Sequence, residues 1–389
     1  MITLHPTQSK STATRVQSID LLRGAVMILM AIDHVRCYSG QPAGGPTADI
    51  FFTRWVTHFC APAFVFFAGT SAFLYGIKLN NKKKLARYLI TRGLLLVVLE
   101  LTLIRFSWMF NFNYSNFILA GVIWMLGWCM VLLAAFIRLR PVVIGIIGLC
   151  IIAFQQVFHY VPLIFPQAWQ NAATEAWSFF YHDGVGSTWG ISILFVLLPW
   201  LGVMMAGYGF GKILLLDPVK RRRICYWIGL SAIAVFLIAG SILVLKQSSP
   251  DDTRPFLFKL LAQPKYPPSQ LFLLMTLGPL IALVPFAERV RGWLAGVLRL
   301  FGRVPMFYYM LHIWLIHISA LIVNFVREGN AHQERYVTAP FTEIDEANRW
   351  GLPLLYLVWI IDITLLYFAC RWYAKYKANN PEKKWLKYL

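Results

Sequence analysis

The chain has 389 residues, 58% of them hydrophobic and 14% charged, with a formal net charge of +19. A soluble globular domain carries about a quarter charged residues, so this composition excludes one. The basic excess also fails to indicate nucleic acid, because its Lys and Arg sit in short clusters between long apolar stretches.

About twenty apolar residues cross a bilayer. Ten stretches reach that length: 19–38, 50–77, 85–107, 116–137, 141–162, 190–211, 221–245, 269–287, 304–326 and 351–374. The runs are continuous and do not alternate, which predicts helices and not a barrel. The expected fold is therefore all-α, a polytopic membrane bundle of about ten transmembrane helices. Residues 1–14 are polar and read as a disordered cytosolic tail, and 15–389 as one integral-membrane domain. The first run is too long for a cleavable signal peptide and carries Asp20, Arg23, Asp33 and His34. With the N-terminus in the cytosol and alternating spans, 25 of the 36 Lys and Arg fall on the cytosolic side. Their main clusters are Lys78–Arg92, Lys212–Arg223, Arg289–Arg303 and the segment from Arg371 on. This is the positive-inside pattern with both termini cytosolic. The basic face would meet the headgroups of the lipid bilayer, or a cytosolic polyanion. The segment 163–189 carries Trp169, Trp177, Phe179, Phe180 and Tyr181, as an interfacial helix or an aromatic belt would. The six cysteines have no metal-binding spacing, and neither HExxH nor an i, i+4 histidine pair is present, so no metal is expected. The sequence leaves a homo-oligomer open.

Ionisable groups inside apolar stretches are costly unless paired or hydrated, and they mark polar sites between helices. Asp33 and His34 lie in the outer third of the first stretch, about 22 Å from its start at helical rise. His58 enters from the outer end of the second stretch, and His312 falls near the middle of the ninth, after Phe307, Tyr308 and Tyr309. A neutral imidazole can take a proton from an attacking hydroxyl or amine and return it. His34, His58 and His312 are thus candidate acid–base residues, with Asp33 to orient an imidazole on another helix. The alternative is that each histidine only hydrogen-bonds between helices. Arg23 is spaced i, i+3 from Asp20 and can pair with it or contact an anion. Arg303, ahead of Val304-Pro305, is either a phosphate contact or a snorkelling side chain. Glu100 and Arg105 suggest an intramembrane pair with Arg54 nearby. Asp362, in the middle of the last stretch, has no partner that the sequence names.

Several segments resemble bacterial membrane proteins related to the catalytic domain of heparan-alpha-glucosaminide N-acetyltransferase. They are Arg15-Val-Gln-Ser18-Ile-Asp20-Leu-Leu-Arg23-Gly24, Ile28-Leu-Met30-Ala-Ile-Asp33-His34, Thr57-His58 through Pro62 and Gly69 to Ser71, Pro199-Trp-Leu-Gly202, Tyr266-Pro267-Pro268-Ser269, and Gly302-Arg303-Val-Pro305 through His312. The resemblance implies a multi-helix bundle in the bacterial inner membrane. It implies transfer of an acetyl group from cytosolic acetyl-CoA to an amino sugar or envelope glycan on the far side. In that frame His34 or His58 would be the general base and Asp33 its orienter, while His312 matches a family histidine by position. Arg303, Arg23, Lys220, Arg221, Arg222 and Arg223 would hold the phosphates of coenzyme A. The family's histidine in the loop between the first two spans has no counterpart in Ser39–Asp49. The competing expectations are a transporter or channel with a histidine-lined path, and a membrane scaffold.

Overall fold

The computed structural model describes residues 16–44, 47–115, 117–247 and 252–387; the predicted tail 1–14 lies outside them. The helices, in chain order, are α1 (Gln17–Ser39), α2 (Ala48–Trp55), α3 (Cys60–Leu79), α4 (Lys82–Leu99), α5 (Arg105–Met109), α6 (Val122–Phe136), α7 (Pro141–Ala153), α8 (Gln167–Trp177), α9 (Leu197–Phe210), α10 (Pro218–Gln247), α11 (Phe256–Leu261), α12 (Gln270–Ala287), α13 (Trp293–Arg303), α14 (Pro305–Glu328) and α15 (Leu352–Asn379). A helix, or a run of joined helices, occupies each of the ten predicted stretches. Six of these are long and apolar enough by themselves to cross a membrane. Others fall short for visible reasons: α1 carries Asp20, Arg23, Asp33 and Arg36, α4 opens on Lys82-Lys83-Lys84, and α6 has only 15 residues.

Local chemistry sets the ends. Asn81 caps α4 by accepting from the Lys84 amide, and Ser269 caps α12 by accepting from Phe272. Pro305 opens α14, where its missing N–H costs nothing. Gly40 closes α1 with φ 77°, a left-handed position that glycine takes without strain.

The helices pair at reciprocal glycines. A Cβ on Gly24 would lie 1.8 Å from the Leu298 carbonyl oxygen, and one on Gly302 would lie 1.8 Å from that of Asp20, so α1 and α13 touch backbone to backbone. Gly69 and Gly207 do the same for α3 and α9, Gly93 and Gly127 for α4 and α6, and Gly148 and Gly202 for α7 and α9. Lipid tails supply no hydrophobic drive between helices, so close backbone approach and dispersion must hold them. Gly202, Gly207 and Gly209 thus make α9 a packing surface for its neighbours. Helix α1 sits at the centre, against α3, α12, α13, α14 and α15.

The structure corrects three expectations. The fifth stretch bends by 76° after α7, where Gln155–Ile164 continues as a tight helical turn. Ile118–Ala120 (β1), Gly186–Thr188 (β2) and Ile191–Ile193 (β3) form a small sheet in the order β1-β3-β2, parallel for β1–β3 and antiparallel for β2–β3. The suggested pairing of Glu100 and Arg105 is not formed. Glu100 instead accepts from the Ile123 amide at 3.2 Å at the start of α6, whose positive end suits a carboxylate. Arg105 donates to the carbonyls of Asn111, Asn113 and Phe117 and so ties down the loop that follows α5. Asp362 finds a partner in Ser319, at 2.8 Å.

Candidate functional site

Two cavities enter the bundle from opposite ends of α1. One of them, called the outer cavity after the side that the charge pattern of the sequence leads one to expect, is about 940 Å³ and surrounds the C-terminal half of α1. Asp33, His34 and Arg36 line it from α1, Arg54 from α2, and Thr57, Cys60 and Phe64 from the residues that follow. Glu100, Trp108, Lys265, Tyr266, Tyr309 and the 340–346 loop complete the wall. That loop is held down on α1: Thr342 donates to the Cys37 carbonyl at 2.7 Å, and the Trp350 amide to the Ser39 carbonyl at 3.0 Å. The charges inside are mostly matched. Asp33 receives Arg36 Nε at 2.9 Å and has Arg54 Nε at 3.9 Å. The Lys265 ammonium lies 5.2 Å from the centre of the Tyr266 ring and 5.7 Å from that of Phe195.

At the inner end of this cavity two histidines meet. His34 Nδ1 is 2.8 Å from His312 Nε2, and His312 Nδ1 is 3.1 Å from the Tyr308 carbonyl oxygen. These contacts fix the tautomers of the neutral pair. A carbonyl only accepts, so His312 carries its hydrogen on Nδ1 and presents a lone pair at Nε2. That lone pair takes the Nδ1 hydrogen of His34. The remaining lone pair of His34 then sits on Nε2, the nitrogen without a protein partner among the described residues. Trp108 fixes the ring edge-on, with centroids 4.8 Å apart. His312 is fully buried and lines neither cavity, so it stands behind His34.

The second cavity, about 1380 Å³, opens around the N-terminal half of α1. Arg23, Lys78, Arg92, Arg221, Arg289, Arg291, Arg303 and Lys377 line it, against the carboxylates of Asp20 and Glu288. Some of this charge is already engaged. Arg221 Nε lies 2.8 Å from Glu288, and Arg23 reaches Ser71 Oγ at 2.8 Å and Asp20 at 3.8 Å. The lining still carries a clear cationic surplus, suited to a polyanion. Phe64, Val122 and Tyr309 line both cavities. The two spaces therefore meet at a septum one residue layer thick, close to the histidine pair.

The structure brings some of the sequence candidates together and separates others. His34 and His312 meet across α1 and α14. His58 does not join them: it is buried, lines neither cavity, and packs against Phe272 with ring centroids 5.5 Å apart. Asp33 lines the outer cavity beside His34 but turns to Arg36, its i, i+3 neighbour, so it orients no imidazole. Arg23, Arg221 and Arg303 line the basic cavity, while Lys220, Arg222 and Arg223 do not. Lys220 pairs with Asp217 at 3.9 Å. Sequence reasoning gave no role to Lys265 or Trp108, and read Tyr309, with Phe307 and Tyr308, only as suited to line a cavity beside His312. Only Tyr309 carried a signal, its place one turn before His312.

The fold and the site thus define an integral membrane protein whose helices hold a histidine pair between two opposed cavities, one of them strongly basic. Residues 15–257, more than half of the chain, match the catalytic region of heparan-alpha-glucosaminide N-acetyltransferase, and the chain belongs to that family of transmembrane acetyltransferases. The match includes His34 and most of both cavity walls, and it ends before Tyr309 and His312. No curated protein matches the chain.

Proposed function

We propose that the protein transfers an acetyl group from acetyl-CoA in the basic cavity to an amino sugar or other envelope glycan in the outer cavity. The observation that carries this reading is the septum: two spaces from opposite ends of α1 meet beside a base whose free nitrogen is set by hydrogen bonding. In this reading ten segments span the bilayer, both termini are cytosolic, and the basic cavity faces the cytosol of a bacterial inner membrane. The positive-inside bias supports that orientation.

The chemistry assigns the residues as follows. Arg303, Arg23 and Arg221 would contact phosphates of coenzyme A, the arginine fork matching their geometry. The thioester would reach the septum from one side and the acceptor amine or hydroxyl from the other. His34 Nε2 would take the acceptor's proton as the nucleophile attacks, and later return it to the departing thiolate. His312, through its bond from His34 Nδ1–H, would hold that tautomer and stabilise the imidazolium that forms. His58 and Asp33 have no step here: His58 packs the wall, and Asp33 offsets Arg36 and Arg54.

The test is made in sealed vesicles that contain the oriented protein, with acetyl-CoA on the face of the basic cavity and glucosamine on the other. Acetylated amine should form on the glucosamine side, with an equal amount of free thiol on the donor side. His34→Ala should lower the rate by about 10²-fold or more, as loss of a general base does. Passage of either compound across the bilayer unchanged, with no thiol released, would replace this reading with transport.

A further inference from the structure

Tyr309 occupies the one place where both substrates of an acyl transfer would have to meet. Among the described residues three line both cavities; Phe64 and Val122 offer only hydrocarbon, so the Tyr309 hydroxyl is the single side-chain hydrogen-bond donor that these residues give the septum. Tyr309 is only 6% exposed, and a buried tyrosine normally spends its hydroxyl on a protein partner. Its neighbours do so: Tyr308 donates to the Met27 carbonyl at 2.9 Å, and Tyr38 to the Trp108 carbonyl at 2.6 Å. The Tyr309 hydroxyl has no hydrogen-bond partner among the described residues, and it is not sealed from the cavities. Its ring stands edge-on to His312 at 5.2 Å between centroids, which places it beside the His312–His34 pair. Glu100 also lines the outer cavity, but its carboxylate is engaged at the start of α6.

We infer that Tyr309 is a catalytic residue that donates its hydroxyl hydrogen to the oxygen of the reacting carbonyl; this rests on the acetyl-transfer reading above. The acceptor's lone pair attacks the thioester carbon, and the carbonyl π pair moves onto oxygen, where the negative charge is met by the Tyr309 O–H. His34 Nε2 holds the proton lost by the acceptor. When the carbonyl re-forms, the carbon–sulfur bond breaks, the electron pair leaves on sulfur, and the proton held by His34 passes to the thiolate. Tyr309 keeps its own proton throughout. Such a donor acts where charge develops, inside a water-poor space, and so works on the transition state more than on binding.

The measurement is steady-state transfer from acetyl-CoA to glucosamine by full-length Tyr309→Phe, with acetyl-CoA affinity determined separately by calorimetry. The expected result is a fall in kcat of about 10²–10³-fold, the usual effect of removing one oxyanion donor, with KM and acetyl-CoA affinity within about twofold of wild type. Monofluorotyrosine introduced at position 309 keeps the shape and makes the phenol a stronger donor, so kcat should rise while the phenol stays protonated. That variant decides the matter if Tyr309→Phe does not fold. Transfer by the wild type, with kcat unchanged in both variants, overturns this role alone. A wild type that transfers no acetyl group overturns the acetyl-transfer reading and this inference with it.

Discussion

In the proposed reaction, the position of one hydrogen decides which nitrogen of His34 can act. The Tyr308 carbonyl is a fixed acceptor on the helix of His312, so the whole tautomer chain is dictated by backbone and not by a carboxylate. A relay of this kind needs an acceptor at the place of His312 Nε2, and a glutamine can supply one. His312→Phe is therefore expected to lower kcat for acetyl transfer by about 10²-fold, with KM little changed. His312→Gln should retain more activity, because an amide oxygen can take the His34 Nδ1 hydrogen. Rate measurements on the two variants at matched expression check this; equal activity in both would remove the relay. The sequence marked His34 and His312 because imidazoles are rare in apolar stretches. It could not show that they touch across 278 positions. Asp33 was misleading for an equally physical reason: an arginine three residues on along the same helix is a nearer partner than any imidazole.

At the scale of the helices, glycine pairs replace the hydrophobic core as the organising device. Within α13, Gly302 and Gly296 separate the two roles of glycine. A Cβ on Gly302 would collide with the Asp20 backbone of α1, whereas one on Gly296 would meet nothing within 4 Å. Gly302→Ala should force α1 and α13 apart and cost about 1–3 kcal/mol or more, seen as a lower thermal midpoint in detergent. Gly296→Ala should leave the midpoint unchanged or raise it slightly, since alanine is the better helix former. Because α13 carries Arg303 and α1 carries Arg23 and His34, the first substitution should also disturb both cavities. Glu100 shows a second elemental effect. It sits at the head of a five-residue π-helical segment, Glu100–Ile104, that joins α4 to α5. Such segments re-aim side chains at functional sites, and here the carboxylate meets the start of α6. Apolar periodicity carries no sign of this, because Glu100 breaks the pattern as an ion-pair partner would.

For the molecule as a whole, the helices were legible because bilayer thickness sets a length that composition reveals. The bend after α7 and the three-residue strands were not. A tight helical turn keeps the apolar count of a straight span, and strands that short offer no alternation to read. The basic cavity was half legible: its arginines stood out as a cluster, but only the folded chain separates Arg221, Arg23 and Arg303, on the wall, from Arg222 and Arg223, which are not. The septum was invisible, since Phe64, Val122 and Tyr309 come from three distant segments.

That septum also bears on the energetics of the cell that holds the protein. In the bacterial inner membrane proposed above, which stores an ion gradient, two cavities separated by a single layer of side chains would leave a very short dielectric barrier. In that setting Phe64 and Val122, which line both cavities, are expected to act as insulation that keeps hydronium from crossing where an acyl group would pass. Phe64→Gly thins that layer without touching the histidine pair. Sealed vesicles that contain the variant should lose an imposed pH difference several-fold faster than those with the wild-type protein, as a dye trapped inside would report. Equal decay would mean that the barrier lies elsewhere in the bundle. Faster decay would instead tie the bulk of Phe64 to a second demand on the chain, that chemistry across a membrane must not discharge it.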